Sequence, residues 1–252
     1  MNAGEIIVTK GERMQINWRD LYAHPLPYQA NSTFNRILMR LLSAIAETRI
    51  ILVSGLENIT PKQDPFILAL NHTSRQEAIL LPTLLAFHRG GKLIHFIADW
   101  NYRLIPGVNL IYKRGGVITV THKPARPRIL EVFKPLFHNP KSSMEQARLC
   151  LINKNSVGIF PEGTVNRDPK QLLHGQYGAA RLSIATGVPV IPGGIRLTAS
   201  GRSLEVHIGS PQLPPTGKLG RAELKDWHAH IMAGIARLSD KCWSYGSDSH
   251  AT

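Results

Sequence analysis

Apolar residues recur along this chain with two periods. Between Ser32 and Glu47 they fall at Phe34, Ile37, Leu38, Leu41, Leu42 and Ile45, with Arg36, Arg40 and Glu47 elsewhere. That spacing predicts an amphipathic helix with Ser32 as its N-cap. Two roles fit it: packing on the domain core, or lying in a membrane interface with basic flanks, and one element can serve both. A second helical pattern covers residues 221–240, where Leu224, Trp227, Ile231, Ile235 and Leu238 form a stripe suited to covering a sheet.

Other segments are short apolar runs of the kind buried in α/β sheets. Phe66 to Leu70, Lys92 to Ala98, Val157 to Phe160 and Leu204 to Ile208 read as strands. Val190 and Ile191 begin another, which Pro192 interrupts or confines to an edge. Val108 to Gly116 reads as a short strand ending in a basic turn, and Thr121 to Pro127, with Lys123 and Arg126, as a solvated loop. Helices are expected from Ser74 through Leu80 towards Pro82, from Ser142 to about Asn153, and from Gly175 to Thr186, where Gly187 stops the last. Strands alternating with helices indicate α/β architecture.

The 252 residues suffice for one large α/β domain. With 30 Lys+Arg against 17 Asp+Glu the net charge is +13, which fits an anionic partner: nucleic acid, an anionic membrane surface or a phosphorylated substrate. Aromatic residues do not cluster as in a base-stacking platform. Cys150 and Cys242 are far apart and suggest neither a disulfide framework nor a thiolate metal site, so a reducing compartment is the simplest expectation. No secretory signal is expected at the start. The apolar runs Ala78 to Phe87 and Leu182 to Ile195 are shorter than the ~20 residues that span a bilayer.

Candidate chemistry centres on Asn71-His72-Thr73-Ser74-Arg75-Gln76-Glu77, directly after the apolar run at 66–70. A histidine at the carboxyl end of a buried strand stands where open α/β sheets place ligands, and imidazole serves as a base near neutral pH when an acceptor holds its other nitrogen. Glu77 is a candidate acceptor. It also completes the S-x-x-E spacing of a capping box with Ser74, so helix capping and histidine orientation compete for one carboxylate. Lys113 and Arg114 suit a phosphate clamp or a solvated pair. Glu162-Gly163-Thr164 offers an anion-facing turn or an ordinary one. His228 and His230, at i and i+2, do not share a helix face and are set aside as surface. The motifs of P-loop, dinucleotide-binding, serine-hydrolase and HExxH proteins are absent.

Four blocks stand in order: Asn71 to Glu77, Tyr112-Lys113-Arg114, Phe160-Pro161-Glu162-Gly163-Thr164, and Val188-Pro189-Val190-Ile191-Pro192. Together, over about residues 50–200, they resemble the glycerolipid acyltransferase family, which includes the 1-acylglycerol-3-phosphate acyltransferases. The resemblance implies a single α/β domain at 51–245, its mixed central sheet flanked by helices, preceded at 1–50 by an amphipathic helical segment. That segment would seat the protein on the cytoplasmic face of a membrane. It implies acyl transfer from acyl-CoA or acyl carrier protein to a lysophospholipid hydroxyl, with no metal or bound cofactor and no nucleic-acid partner. His72 would be the general base, oriented by Glu77. Arg114, Glu162, Gly163 and Thr164 would hold the glycerol phosphate, and Val188, Pro189 and Pro192 would shape the acyl cleft. Two departures stand out: Glu77 where the family usually has aspartate, and Val165 where it usually has arginine. They direct phosphate recognition to Arg167 or Lys113 and leave the acceptor open, including a lipid-binding member without turnover.

Overall fold

The structure is a computed structural model describing residues 18–74, 77–121, 124, 132–133, 135, 140–217 and 220–244. Its strands are β1 (Ile50–Ser54), β2 (Ile67–Leu70), β3 (Ile94–Asp99), β4 (Ile118–Val120), β5 (Ser156–Ile159), β6 (Val190–Leu197) and β7 (Leu204–Ile208). Its helices are α1 (Trp18–Ala23), α2 (Thr33–Glu47), α3 (Glu77–His88), α4 (Pro106–Arg114), α5 (Ser143–Ile152), α6 (Gly178–Thr186) and α7 (Arg221–Ser239). The seven strands form one sheet in the order β1-β7-β6-β2-β5-β3-β4. β6, β2, β5, β3 and β4 are parallel; β7 runs antiparallel to β6, and β1 follows β7. The sheet is therefore mixed, as expected.

Residues of β2 alternate between two cores, which is why its run is apolar throughout. Leu68 and Leu70 pack with Leu81, Leu84 and Leu85 of α3 and Ala46 of α2. Ile67 and Ala69 pack with Leu151 of α5, Leu182 of α6, and Trp227, Ile231 and Ile235 of α7. Each such leucine or isoleucine contributes roughly 1.5–3 kcal/mol by leaving water. The stripe on α7 thus covers the sheet as its pattern indicates. The stripe on α2 divides. Leu38, Met39 and Leu42 turn inward, whereas Phe34, Ile37, Leu41 and Ile45 are 45–60% exposed in a row along the outer side.

Three expectations are corrected. Val108 to Gly116 is the helix α4 with its following turn, because Pro106 opens a helix at its first position and Gly115 closes it. Pro192 lies inside β6, a central strand. Gly209 N–H donates to the Pro192 carbonyl, and the reciprocal donor that proline lacks falls beyond the last residue of β7. Helix α3 does not stop near Pro82 but continues through it to His88.

At the amino edge of the parallel strands a polar knot closes the fold. Arg89, 3% exposed, donates to both Asp64 carboxylate oxygens at 2.8 Å, to the Lys92 carbonyl at 3.1 Å and to the Ile59 carbonyl. Lys92 Nζ stands 2.7 Å from the same carboxylate, and the Ser156 hydroxyl donates to it while accepting from Phe66 N–H. Beside it, α1 and α2 pack on the end of α3 through Leu21, Leu26, Met39, Ala86 and Phe87.

Candidate active site

β2 and β5 are neighbours, so the segments leaving their carboxyl ends meet. Asn71 is buried and pairs reciprocally with the Ile195 backbone, at 3.0 Å through its amide nitrogen and 2.6 Å through its oxygen. This fixes the end of β2 to β6. The next residue is held at both backbone groups. His72 N–H donates to Glu162 Oε1 at 3.0 Å, and its carbonyl accepts from Asn166 N–H at 2.7 Å. Its ring stacks on Phe160 with centroids 4.5 Å apart.

Glu77 is fully buried, and its Oε1 lies 2.7 Å from His72 Nδ1. An ionised carboxylate only accepts, so Nδ1 carries the hydrogen and the lone pair is on Nε2. Among the described residues Nε2 has no protein partner, and the side chain keeps 13% of its surface open. The same carboxylate accepts from Thr73 N–H and from the Thr73 hydroxyl, each at 2.5 Å. Ser74 Oγ in turn accepts from Glu77 N–H at 3.4 Å. Capping and ring orientation therefore do not compete: one buried carboxylate does both, accepting from Thr73 and, at 3.5 Å, from the Ser74 hydroxyl. Arg75 and Gln76 lie outside the described residues, as do Lys123 and Arg126.

Glu162 is also buried, with both oxygens taken by internal donors. Oε1 holds His72 N–H, and Oε2 accepts from Asn166 Nδ2 at 2.6 Å and Leu173 N–H at 2.9 Å. Gly163 makes the turn with φ +67°, and its N–H donates to the Phe160 carbonyl. Thr164 and Arg167 are exposed on the same loop, to either side of Asn166, whose N–H bonds the His72 carbonyl. Asn166, which sequence reasoning missed, ties this loop together: it also donates to the Gln171 carbonyl and accepts from Asp168 N–H. Nothing in a lone Asn two residues past Thr164 signals that role.

An apolar cleft lies between α2, α3, β3 and α4 and reaches the amino edge. It is lined by Leu38 and Leu42 of α2, Ala78, Ile79 and Pro82 of α3, Phe96 of β3 and Ile111 of α4. Ala78 follows Glu77, and Phe96 packs 5.5 Å from the Phe160 ring on which His72 stacks, so the cleft's lining adjoins the residues that hold the histidine, none of which lines it. Gly158 makes this possible, since a Cβ there would come within 2.6 Å of the Phe96 ring. The far end is bridged by a polar string: Arg114 donates to Asn35, Asn35 to Gln29, and Gln29 to the Gly91 carbonyl, at 2.9–3.0 Å.

Two sets of predicted residues are not brought to the histidine. Helix α4 returns from the carboxyl end of β3 to the amino end of β4, so Lys113 and Arg114 finish at the opposite edge, roughly 15 Å away along the length of α3. There Arg114 lies over Phe34, 5.3 Å from its ring centre. Val188 and Pro189 precede β6 at that same edge, where the Pro189 carbonyl accepts from Ile67 N–H, and Pro192 faces α7 at Gly234. None of these three lines the apolar cleft. His228, set aside as surface, is 1% exposed; its Nε2 bonds the His174 carbonyl at 3.1 Å, and burial lowers its pKa. Among the described residues no three His, Cys, Asp or Glu side chains gather as a metal site, and no helix is long and apolar enough to cross a membrane.

The family model described as Acyltransferase matches residues 50–196, more than half of the chain and all of the strand-end segments described above. The chain belongs to the acyltransferase family. A 1-acyl-sn-glycerol-3-phosphate acyltransferase of Borreliella burgdorferi is 28% identical over 142 residues, 56% of this chain and 49% of that protein. The chain thus spans about half the length of the curated relative it matches. The crystal structure of the 1-acyl-sn-glycerophosphate (LPA) acyltransferase PlsC from Thermotoga maritima shares the fold, with a TM-score of 0.55 and 24% identity over 83% of each chain. Within this acyltransferase fold the segment at 71–77 and the loop at 160–167 lie together, while the second and fourth sequence blocks stand apart from them.

Proposed function

We propose that the protein transfers a fatty acyl group from a thioester donor, acyl-CoA or acyl carrier protein, to the free hydroxyl of a lysophospholipid, by default 1-acylglycerol-3-phosphate. The observation that carries this reading is the open Nε2 of His72, whose Nδ1–H is held by the buried Glu77. Nε2 takes the acceptor's hydroxyl proton as that oxygen attacks the thioester carbonyl. The tetrahedral intermediate collapses, the carbon–sulfur bond breaks, and the imidazolium returns the proton to the departing thiolate. The donor's acyl chain lies in the apolar cleft beside Phe96. The phosphate sits against Arg167 and the Thr164 hydroxyl, both exposed at the rim. Glu162 and Gly163 act by positioning, since their polar groups are bonded internally.

The outer row of α2, with Arg36 on the helix and Arg49 just beyond its end, fits docking of the protein on an anionic membrane surface. The test is turnover of purified protein on lysophospholipids presented with and without anionic vesicles, using acyl-CoA and acyl carrier protein donors. Acylated phospholipid is expected, faster on vesicles, and His72→Ala should lower kcat/KM on the order of 10²–10⁴-fold at unchanged thermal stability. Unchanged turnover in that variant would refute the assigned base.

A further inference from the structure

The loop that follows β5 leaves two side chains outside and draws one in. Thr164 and Arg167 are exposed, and Arg167 has no hydrogen-bond or ion-pair partner among the described residues. Asn166, between them, is 5% exposed and engaged at every polar atom of its side chain. Its backbone N–H donates to the His72 carbonyl at 2.7 Å. Its Nδ2 donates to Glu162 Oε2 at 2.6 Å and to the Gln171 carbonyl at 2.7 Å, while Oδ1 accepts from Asp168 N–H at 3.0 Å. Two acceptors face the nitrogen and one donor faces the oxygen, so the neighbours fix the orientation of the amide, and only a carboxamide of this length supplies that set. The Oδ1 bond closes a turn with Arg167 at its tip. The same residue is fastened to His72 through its backbone. One hydrogen bond and one residue step of ~3.8 Å therefore join the histidine's backbone to the arginine's.

We propose that Asn166 is a positioning residue for the acceptor: it sets the gap between the base and Arg167, so that a lysophospholipid whose phosphate lies at Arg167 brings its free hydroxyl to His72 Nε2. The inference rests on the acyl-transfer reading above. Holding two ends of one substrate at a set spacing turns binding of the remote phosphate into orientation of the reacting oxygen, and a displacement of ~1 Å there costs up to ~10²-fold in rate. The base itself does not depend on the carboxamide. Without it Glu77 still holds Nδ1, Glu162 Oε1 still holds His72 N–H, and Glu162 Oε2 still accepts from Leu173 N–H. Residue 166 also keeps its own backbone N–H for the His72 carbonyl. What is released is the turn that carries Arg167.

The experiment is a double-mutant cycle, read as steady-state kinetics on 1-acylglycerol-3-phosphate and on 1-monoacylglycerol, which has the hydroxyl and lacks the phosphate. Asn166→Ala should lower kcat on the phosphorylated acceptor about tenfold with KM held within about twofold, and the loss on monoacylglycerol should be at most about twofold. Arg167→Ala should raise KM for the phosphorylated acceptor alone. In the Asn166→Ala background that second substitution should lower kcat/KM less than it does in the wild type, because a misplaced hydroxyl no longer gains from the phosphate contact. Asn166→Ser, with one donor and one acceptor, should fall between. Equal losses on both acceptors, an unchanged kcat on the phosphorylated one, or additive effects of the two substitutions would each overturn the assignment. If the wild type does not use monoacylglycerol, the cycle alone decides; if Asn166→Ala does not fold, Asn166→Ser takes its place. If the wild type turns over no thioester, the acyl-transfer reading fails, and NMR signals of the His72 ring titrated with glycerol 3-phosphate still decide the coupling. A perturbation seen in the wild type and lost in Asn166→Ala supports it; no perturbation in the wild type, or one that survives in the variant, removes it.

Discussion

The two edges of the parallel strands both carry buried carboxylates with dense hydrogen bonding, yet they differ in what is left over. At the amino edge Asp64 meets Arg89, Lys92 and Ser156, and these groups satisfy one another. At the carboxyl edge Glu77 and Glu162 hold His72 at its ring, its amide and, through Asn166, its carbonyl, and the reactive nitrogen still has no protein partner among the described residues. A closed polar network buys fold specificity, whereas an over-determined residue with one open atom is arranged for chemistry. Among the described residues the amino edge has its own unpartnered imidazole nitrogen, Nε2 of His88, but that atom is sealed from solvent. An orphan nitrogen marks a site only when something can reach it.

The largest effect that separates the edges is expected at Asp64. Asp64→Ala leaves the Arg89 guanidinium buried without its counter-charge and should cost about 3–5 kcal/mol, read as a lower urea midpoint. Turnover of the folded protein should be unchanged. If the folded variant instead lost activity as His72→Ala does, the amino edge would belong to the site and the distinction would collapse.

Acid should act next, and through the sealed histidine. Burial lowers the His88 pKa to about 4 from 6.5. Above about pH 6.5 both folded and unfolded chains are neutral at His88, and it adds no pH dependence. Between about 6.5 and about 4 only the unfolded chain takes up the proton, so stability falls as pH falls, by on the order of 3 kcal/mol in all. His24 and His228, also lowered mainly by burial, act in the same direction. Denaturation at pH 7 and pH 5 should show a smaller difference in His88→Leu than in the wild type; an equal difference would mean that His88 is not the acid-sensitive group.

Much of this contrast was legible in the sequence. The apolar run at 66–70 followed by His72 located the carboxyl edge, and the five-residue step to Glu77 named its partner. What misled was direction. Valine, isoleucine and tyrosine at 108–112 read as a strand, which would deliver Lys113 and Arg114 to the ligand edge. Pro106 makes that segment a helix, and a helix joining two parallel strands must run back, so its last turn lands at the other edge. The outer row of α2 was ambiguous for a related reason: periodicity establishes that a helix has an apolar stripe, not how wide a stripe the core will accept. Glu162 was singled out for a phosphate, not for positioning, and Asn166 not at all, because their roles are contacts to backbone groups distant in sequence, which no local pattern records.

The smallest and most discriminating change concerns the extra methylene of Glu77. Here one carboxylate spans His72 Nδ1 and the Thr73 amide and hydroxyl from the first residue of α3. Aspartate, usual in the family, is shorter by about one bond, and in this backbone it cannot keep all three contacts without moving the ring. Glu77→Asp should therefore lower kcat about tenfold, less than removal of the base, because a displacement of ~1 Å at a reacting group costs up to ~10²-fold. KM for both substrates and the unfolding midpoint should hold, since the aspartate still caps α3 through Thr73. A fall in stability with kcat intact would make Glu77 a capping residue alone. Unchanged values of both would mean that the loop at 71–77 adjusts to either length, and the carboxyl edge would then be less over-determined than its hydrogen bonds indicate.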